Sequence, residues 1–394
     1  MREMLHSDPL ALCFLSCAFV GVLGVAFGCG CAAQDKIGFG FDDTATCAVF
    51  TPDSKYIVIS GHARIRLLDV ARREFVDRFP EDADTGKLGV QSFEIVAVSP
   101  DGKYVASAGA WKPVRVWDFE TGNLLYSLPV DKTYIVALAF SPDGNRLAIG
   151  TGFRTGKGKY PDFWEEVFEI WLWDFTKKGG DKVRLRGHDG SVRGVVFLSG
   201  GKQLASVSTD MTMRIWDVEA QRELRRLGNP SVRPSHEDVG AYGPFIDGEL
   251  KTRASLTISV DRKYLAQGCY LWDIGRWQRI PWKGDTEGTN DWEAFVSLNM
   301  PSALTPDKKR LILAEGGGVN QSGRLWIYDL TTGKELFTDQ VFQSRAEVMT
   351  VAVSPDGRYA LAGGSGSVPG FNVAGSGVPA SDGNQLYLYR LSER

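Results

Sequence analysis

Three side chains near the middle of the sequence have the types needed for acyl transfer: His188 as a base, Ser206 as a nucleophile and Asp210 to orient the base. None lies in the Gly-x-Ser-x-Gly elbow that lifts a serine out of a sheet. Gly150–Lys157 (GTGFRTGK) hints at a phosphate loop, but the glycine spacing is wrong and Gly158 stands where Ser or Thr would bind a metal. No helical pattern follows it either. Glu165 and Glu166 are adjacent, so in a strand they point to opposite faces and cannot act as a facing pair. His236 beside Glu237 and Asp238 could contribute to a weak ion site, although the surrounding segment reads as a solvated loop. Beyond residue 33 the histidines are His62, His188 and His236, and no Cys/His spacing fits a metal. The expectation is a non-enzyme with no cofactor and no metal.

These residues sit in a chain of 394 residues, 43% hydrophobic and 24% charged, the balance of a globular protein. A net charge of −3 provides no basic excess for a phosphate backbone, so nucleic acid is not an expected partner. The N-terminus differs from the rest. Leu10–Gly28 carries no charge and is followed by small residues, the pattern of an export signal. Three outcomes stay open: cleavage after Ala33, lipid attachment at Cys29 as in a bacterial lipoprotein, or retention as an anchor about as long as a bilayer is thick. Residues 1–33 are therefore assigned as a leader and 34–394 as the folded domain. The expected location is exported: periplasmic, membrane-anchored or secreted, with membrane contact through the leader alone. Of six cysteines, Cys47 and Cys269 lie beyond the leader. They fall in different repeats and are read as small buried hydrophobes.

Two signatures recur along the domain. The first is a turn: Thr51-Pro-Asp-Ser54, Ser99-Pro-Asp-Gly102, Ser141-Pro-Asp-Gly144, Ser199-Gly-Gly-Lys202, Ser259-Val-Asp-Arg262, Thr305-Pro-Asp-Lys308 and Ser354-Pro-Asp-Gly357. Proline presets φ, Asp bonds nearby backbone, and the fourth position accepts positive φ. Short apolar strands flank every copy. The second closes the next strand: Leu68-Asp69, Trp117-Asp118, Trp173-Asp174, Trp216-Asp217, Trp272-Asp273, Tyr328-Asp329 and a degenerate Tyr389-Arg390. Asp53 and Asp356 stand six intervals apart, a mean period of roughly 50 residues against ~40–45 for common four-stranded repeats.

With both signatures in register seven times, residues 36–394 resemble WD40 repeats, in a bacterial exported member of that family. The resemblance implies an all-β, seven-bladed β-propeller. The last repeat lacks a fourth strand, and Lys36–Asp42 is predicted to supply it, closing the ring. The resemblance also implies that His188, Ser206, Asp210 and Trp216 form a structural relay inside blade four rather than a triad. The aspartates of the second signature become turn anchors rather than catalytic acids.

The added length falls on loops of one face: 152–167, 228–252, 281–297 and 364–384. Loops on a rigid scaffold carry function, and these contain Arg154, Tyr160, Trp164, Tyr242, Trp282 and Trp292, types frequent at interface hot spots. The expected function is a non-catalytic, monomeric scaffold that binds an unknown protein or peptide through this face. The alternative is an enzyme or a small-molecule or metal binder at the channel mouth.

Overall fold

Six of the seven copies of the first turn are wired in the same way, the exception being Ser199–Lys202, which has no Asp. The hydroxyl of the first residue donates to the Asp two positions on, at 2.6 Å for Thr51–Asp53, 2.7 Å for Ser99–Asp101 and 2.6 Å for Ser354–Asp356. The same oxygen accepts the N–H five residues on, as from Tyr56 at 3.0 Å and Tyr104 at 2.9 Å. The Asp in turn accepts the N–H two residues further along, as from Lys55. The fourth residue adopts positive φ whatever its type: Ser54 60°, Gly102 74°, Gly144 75°, Arg262 54°, Lys308 61° and Gly357 75°. Six side chain–backbone turns thus fix six hairpins.

The computed structural model describes residues 33–40, 45–61, 64–80, 95–109, 112–130, 133–155, 164–166, 168–177, 182–228, 256–259, 261–267, 270–280, 300–315, 323–342, 347–365 and 385–391. The first strand among the described residues is β1 (Ala33–Gly40). Blade one is β2 (Cys47–Phe50), β3 (Tyr56–Ser60), β4 (Ile65–Asp69) and β5 (Glu74–Val76). Blade two is β6 (Ile95–Val98), β7 (Tyr104–Gly109), β8 (Lys112–Asp118) and β9 (Leu124–Leu128). Blade three is β10 (Thr133–Phe140), β11 (Arg146–Thr155), β13 (Glu169–Asp174) and β14 (Val183–Arg186), with an added β12 (Trp164–Glu166) on β11. Blade four is β15 (Val192–Phe197), β16 (Gln203–Ser208), β17 (Thr212–Asp217) and β18 (Arg222–Gly228). Blade five is β19 (Leu256–Ile258), β20 (Tyr264–Gln267), β21 (Tyr270–Asp273) and β22 (Gln278–Ile280). Blade six is β23 (Ser302–Leu304), β24 (Arg310–Glu315), β25 (Arg324–Asp329) and β26 (Glu335–Gln340). Blade seven is β27 (Glu347–Val353), β28 (Tyr359–Ser365) and β29 (Gln385–Leu391), completed by β1.

Second strands are buried on both faces because a blade packs against neighbours on either side. β3 reads Tyr-Ile-Val-Ile-Ser, with Ile57, Val58 and Ile59 fully buried. That accounts for apolar runs where a half-exposed sheet would alternate. Seven apolar clusters result, one for each pair of adjacent blades. The cluster between blades seven and one joins Ile57, Ile59 and Leu68 to Leu361, Leu386 and Leu388, so the ring is closed by packing as well as by pairing.

β1 is the outer strand of blade seven, antiparallel to β29 from Ala33↔Leu391 to Gly40↔Gln385. It begins earlier than the predicted 36–42, its first residue lies inside the segment assigned as leader, and residues 41 and 42 of the prediction lie outside the described residues. Phe39 is buried against Phe75 of blade one, with ring centroids 6.5 Å apart. Lys36 lies 4.2 Å over the Tyr387 ring and pairs with Asp339 of blade six at 2.5 Å. Asp339 also accepts the Tyr389 hydroxyl at 2.7 Å. Burial of Tyr389, with the Asp339 contact, pushes its phenol far above the usual range.

The second signature closes its own turn. Asp118 accepts the Thr121 N–H at 2.7 Å, Asp69 that of Arg72 at 2.8 Å, Asp273 that of Arg276 at 2.9 Å and Asp329 that of Thr332 at 2.7 Å. Four residues past that Asp the backbone is again left-handed: Arg73, Gly122, Gln221, Trp277 and Gly333. Sequence reading gave glycine this role only where glycine is present. A Cβ at Gly122 would stand 1.9 Å from the Arg78 carbonyl oxygen. Gly122→Ala is therefore expected to cost about 3 kcal/mol, adding overpacking to the left-handed penalty. Gln221→Gly, at a solvent-facing copy of the same turn, should instead gain about 1 kcal/mol. Urea unfolding of the two variants, with opposite shifts in midpoint, is the check.

Candidate functional site

Blade four gathers the candidate chemistry. β16 presents Ser206, the β16–β17 turn presents Asp210, and β17 presents Trp216. His188 precedes β15, in the connection from blade three. Trp216 Nε1 donates to Ser206 Oγ at 2.8 Å, Ser206 Oγ meets His188 Nε2 at 2.7 Å, and His188 Nδ1 meets Asp210 Oδ2 at 2.8 Å.

The tautomer follows from donor counting. Indole N–H can only donate, so Ser206 Oγ accepts it and spends its own hydrogen on His188 Nε2. Nδ1 then carries the imidazole hydrogen, which goes to Asp210. A neutral His188 satisfies every bond. Burial, outweighing the Asp210 carboxylate, holds its pKa below the ordinary value. Burial alone would raise the Asp210 carboxyl, but bonds from His188, from the Thr212 hydroxyl at 2.6 Å and from the Asp189 N–H at 3.0 Å hold it far below the carboxylate range.

The order Asp–His–Ser is that of a hydrolytic triad, and burial decides against that use. Ser206 is 0% exposed, Asp210 1% and His188 6%, and the Ser206 hydroxyl already spends its hydrogen on His188 and a lone pair on Trp216. No substrate carbonyl can reach the oxygen while blade four is folded.

The relay extends further than sequence reading suggested. Arg214 is 1% exposed and bonds Glu223 Oε2 at 2.8 Å, Asp210 Oδ2 at 3.4 Å and Thr212 Oγ1 at 3.2 Å. Thr212, Arg214 and Trp216 are alternate residues of β17 and share one face, so the period of two was the missed signal. Blade two keeps half of the relay: Trp117 Nε1 donates to Ser107 Oγ at 3.0 Å. The same register position is Ile149 in blade three, which has no acceptor, and Gln267 in blade five, whose amide does not take the bond. Trp272 Nε1 is accordingly buried without a hydrogen-bond partner among the described residues.

The remaining candidates are more dispersed. Trp173 and Asp174 end β13, Asp217 ends β17, and Asp174 accepts the Thr176 hydroxyl at 2.7 Å. Arg154 pairs across β11 and β12 with Glu165, and Trp164 with Thr155, so the 152–167 insertion starts as a two-stranded extension of blade three. Sequence reading had taken it as loop. Tyr160, Tyr242, Trp282, Trp292, His236 and Cys29 lie outside the described residues. Among the described residues no helix is long and apolar enough to cross a membrane, and no three His, Cys, Asp or Glu side chains are grouped to hold a metal ion.

Comparison with known proteins points the same way on fold. The family "WD domain, G-beta repeat" matches residues 180–217, which contain His188, Ser206, Asp210 and Trp216. Nuclear distribution protein nudF of Emericella nidulans is 32% identical over 136 residues, 33% of this chain and 30% of the relative. The Aspergillus niger protein of the same name is 29% identical over 218 residues, 52% of this chain and 44% of the relative. Periodic tryptophan protein 2 of Arabidopsis thaliana is 28% identical over 188 residues, 47% of this chain and 18% of the relative. The chain thus spans less than half the length of these relatives. A chain in the crystal structure of the mitotic checkpoint complex superimposes with TM-score 0.61 at 14% identity, covering 100% of both chains, a likeness of fold.

These relatives overturn the expected location. They are nuclear distribution proteins of fungi and a periodic tryptophan protein of a plant, and none of the three is named for export. The periplasmic, membrane-anchored or secreted assignment is corrected accordingly. It had rested on the uncharged run Leu10–Gly28, where Glu3 and Asp8 offset Arg2 and leave no basic flank. Six four-stranded sheets and one five-stranded sheet, with two turn signatures in register, make this chain a seven-bladed β-propeller, and residues 180–217, which carry the blade-four relay, match the WD domain, G-beta repeat family.

Proposed function

We propose that the chain is a non-catalytic scaffold that binds a protein partner on the face carrying the connections between second and third strands. The observation behind this reading is the β11–β12 extension. Phe153↔Glu166, Arg154↔Glu165 and Thr155↔Trp164 continue pairing beyond the end of β13, giving the longest insertion of blade three a rigid base. A stiff projection costs less ordering entropy on binding than a free loop. Arg154 and Trp164 stand at its root, and both types are common where binding energy concentrates. Tyr160, Tyr242, Trp282 and Trp292 belong to loops of the same topological class and are assigned to the same face. Two of the relatives carry names linked to nuclear distribution, and the structural neighbour comes from the mitotic checkpoint complex. Both support a protein rather than a small molecule as partner.

The test is affinity capture with the intact chain and with a variant whose residues 156–163 are replaced by Gly and Ser. Proteins recovered with the intact chain should fall at least tenfold in yield with the variant, while its unfolding midpoint stays unchanged. Equal recovery by both sinks the assignment of this face.

A further inference from the structure

The outer strand of each blade meets solvent edge-on, and six of the seven carry charge: Glu74 in β5, Arg184 in β14, Arg225 in β18, Arg279 in β22, Asp339 in β26 and Lys36 in β1. Charge along an open strand guards against pairing with another sheet. β9, Leu-Leu-Tyr-Ser-Leu, has none.

β9 is also where large hydrophobic side chains meet water among the described residues. Leu124 is 47% exposed, Leu125 43% and Tyr126 37%. Consecutive residues point to opposite faces, so the rim of blade two is apolar on both sides of the strand. The inner side of β9 is paired with β8, from Val114↔Leu128 to Trp117↔Leu124. Its outer side ends the four-stranded sheet and leaves the backbone groups of alternate residues turned outward. The strand is not slack, since the Tyr126 ring packs at 5.4 Å from Phe175 of blade three.

We propose that β9 is a self-pairing edge: a second copy of this chain adds its own β9 antiparallel to the first, joining two propellers about a two-fold axis. Charge matching selects this occupant. Pairing centred on Tyr126 sets Leu124 opposite Leu128 and Leu125 opposite Ser127 of the other copy, so every cross-strand pair is neutral. Pairing β9 with any other outer strand of a second copy would bring a charge against this apolar rim. A two-fold contact is self-complementary and closes at two, so it buries the edge without growing into a fibre. This departs from the monomer expected from sequence. It uses the rim of blade two rather than the partner-binding face and stands independently of the reading above.

The experiment is sedimentation of the full chain over a wide concentration range, with two variants. The intact chain should pass from one copy to two. Leu125→Lys places like charges beside the two-fold axis and should raise the dissociation constant roughly a hundredfold or more, with no change in unfolding midpoint because the side chain is exposed. Tyr126→Cys brings two sulfurs across the axis with Cα atoms about 4.5–5.5 Å apart, within disulfide range. Mild oxidation should therefore cross-link Tyr126→Cys, and not Leu124→Cys, above the intact chain's background. A chain that stays single throughout, with no added cross-linking at 126, overturns the proposal. So does a pair that survives Leu125→Lys unchanged, or stoichiometric capture of a different protein on β9 without self-association.

Discussion

Asp210→Ala should lower the unfolding free energy by about 3–5 kcal/mol, because it strands the buried Arg214 guanidinium with one carboxylate fewer and leaves His188 Nδ1 without an acceptor. Ser206→Ala should cost less, about 1–3 kcal/mol, since it orphans the neutral Trp216 N–H and a histidine nitrogen. Urea titration ranks the two, and a loss under ~1 kcal/mol for Asp210→Ala would contradict the relay as a buried charged network. Acid gives a second reading. His188 has a folded pKa below its ordinary value of 6.5, so as pH falls through 6.5 the unfolded chain takes up a proton that the native one refuses. Stability from this group is full at higher pH and drains away below about 6.5. Asp210, also depressed in the fold, adds a later loss below its ordinary 3.8. The stability gap between the intact chain and His188→Gln should therefore narrow as pH falls from 7 to 5, measured as the difference in urea midpoints.

Deleting residues 33–40 should be at least as costly, about 5 kcal/mol or more. Removing the Phe39 side chain alone accounts for about 3–5 kcal/mol. The deletion also breaks the Lys36–Asp339 ion pair and the cation–π contact of Lys36 with Tyr387, and strips β29 of its outer partner strand. The bare β29 edge should then promote association. Thermal unfolding should show a lower and broader transition, and light scattering should rise with concentration. A sharp transition at the original temperature would mean that blade seven stands without β1.

Much of this fold was legible because its turns are chemical devices. Ser or Thr, Asp and a left-handed residue at fixed offsets can be read without coordinates, and the hydrogen bonds of Thr51 and Ser99 show why those offsets recur. Closure by the N-terminal strand was legible from a missing fourth strand in the last repeat, although its start moved from 36 to 33, since strand ends depend on pairing with β29 rather than on composition. The relay was partly legible: His188, Ser206, Asp210 and Trp216 stand out by type, whereas Arg214 looks like any surface arginine until the alternation of β17 places it inward. Ser107 was passed over because blade two has no histidine to complete the set. The left-handed Gln221 and Trp277 were not legible, since their side chains do not favour that conformation. Location was misread, because an apolar run is a composition and an address is a fact about a cell.

Joining Ala33 to Leu391 also has a kinetic consequence. A ribosome delivers the outer strand of blade seven long before the other three, so the ring cannot shut until residues 385–391 have emerged. The six intervening blades can stack one by one as they appear, each new interface formed between sequence neighbours. The seventh interface requires a loop of more than three hundred residues to close, which is slow relative to the local steps. Throughout that wait the apolar flank of blade one, with Ile57, Ile59 and Leu68, faces water. Until β29 emerges, nascent chains of this protein should therefore be an open arc that a holding chaperone can recognise, and lose that affinity when β1 and β29 pair.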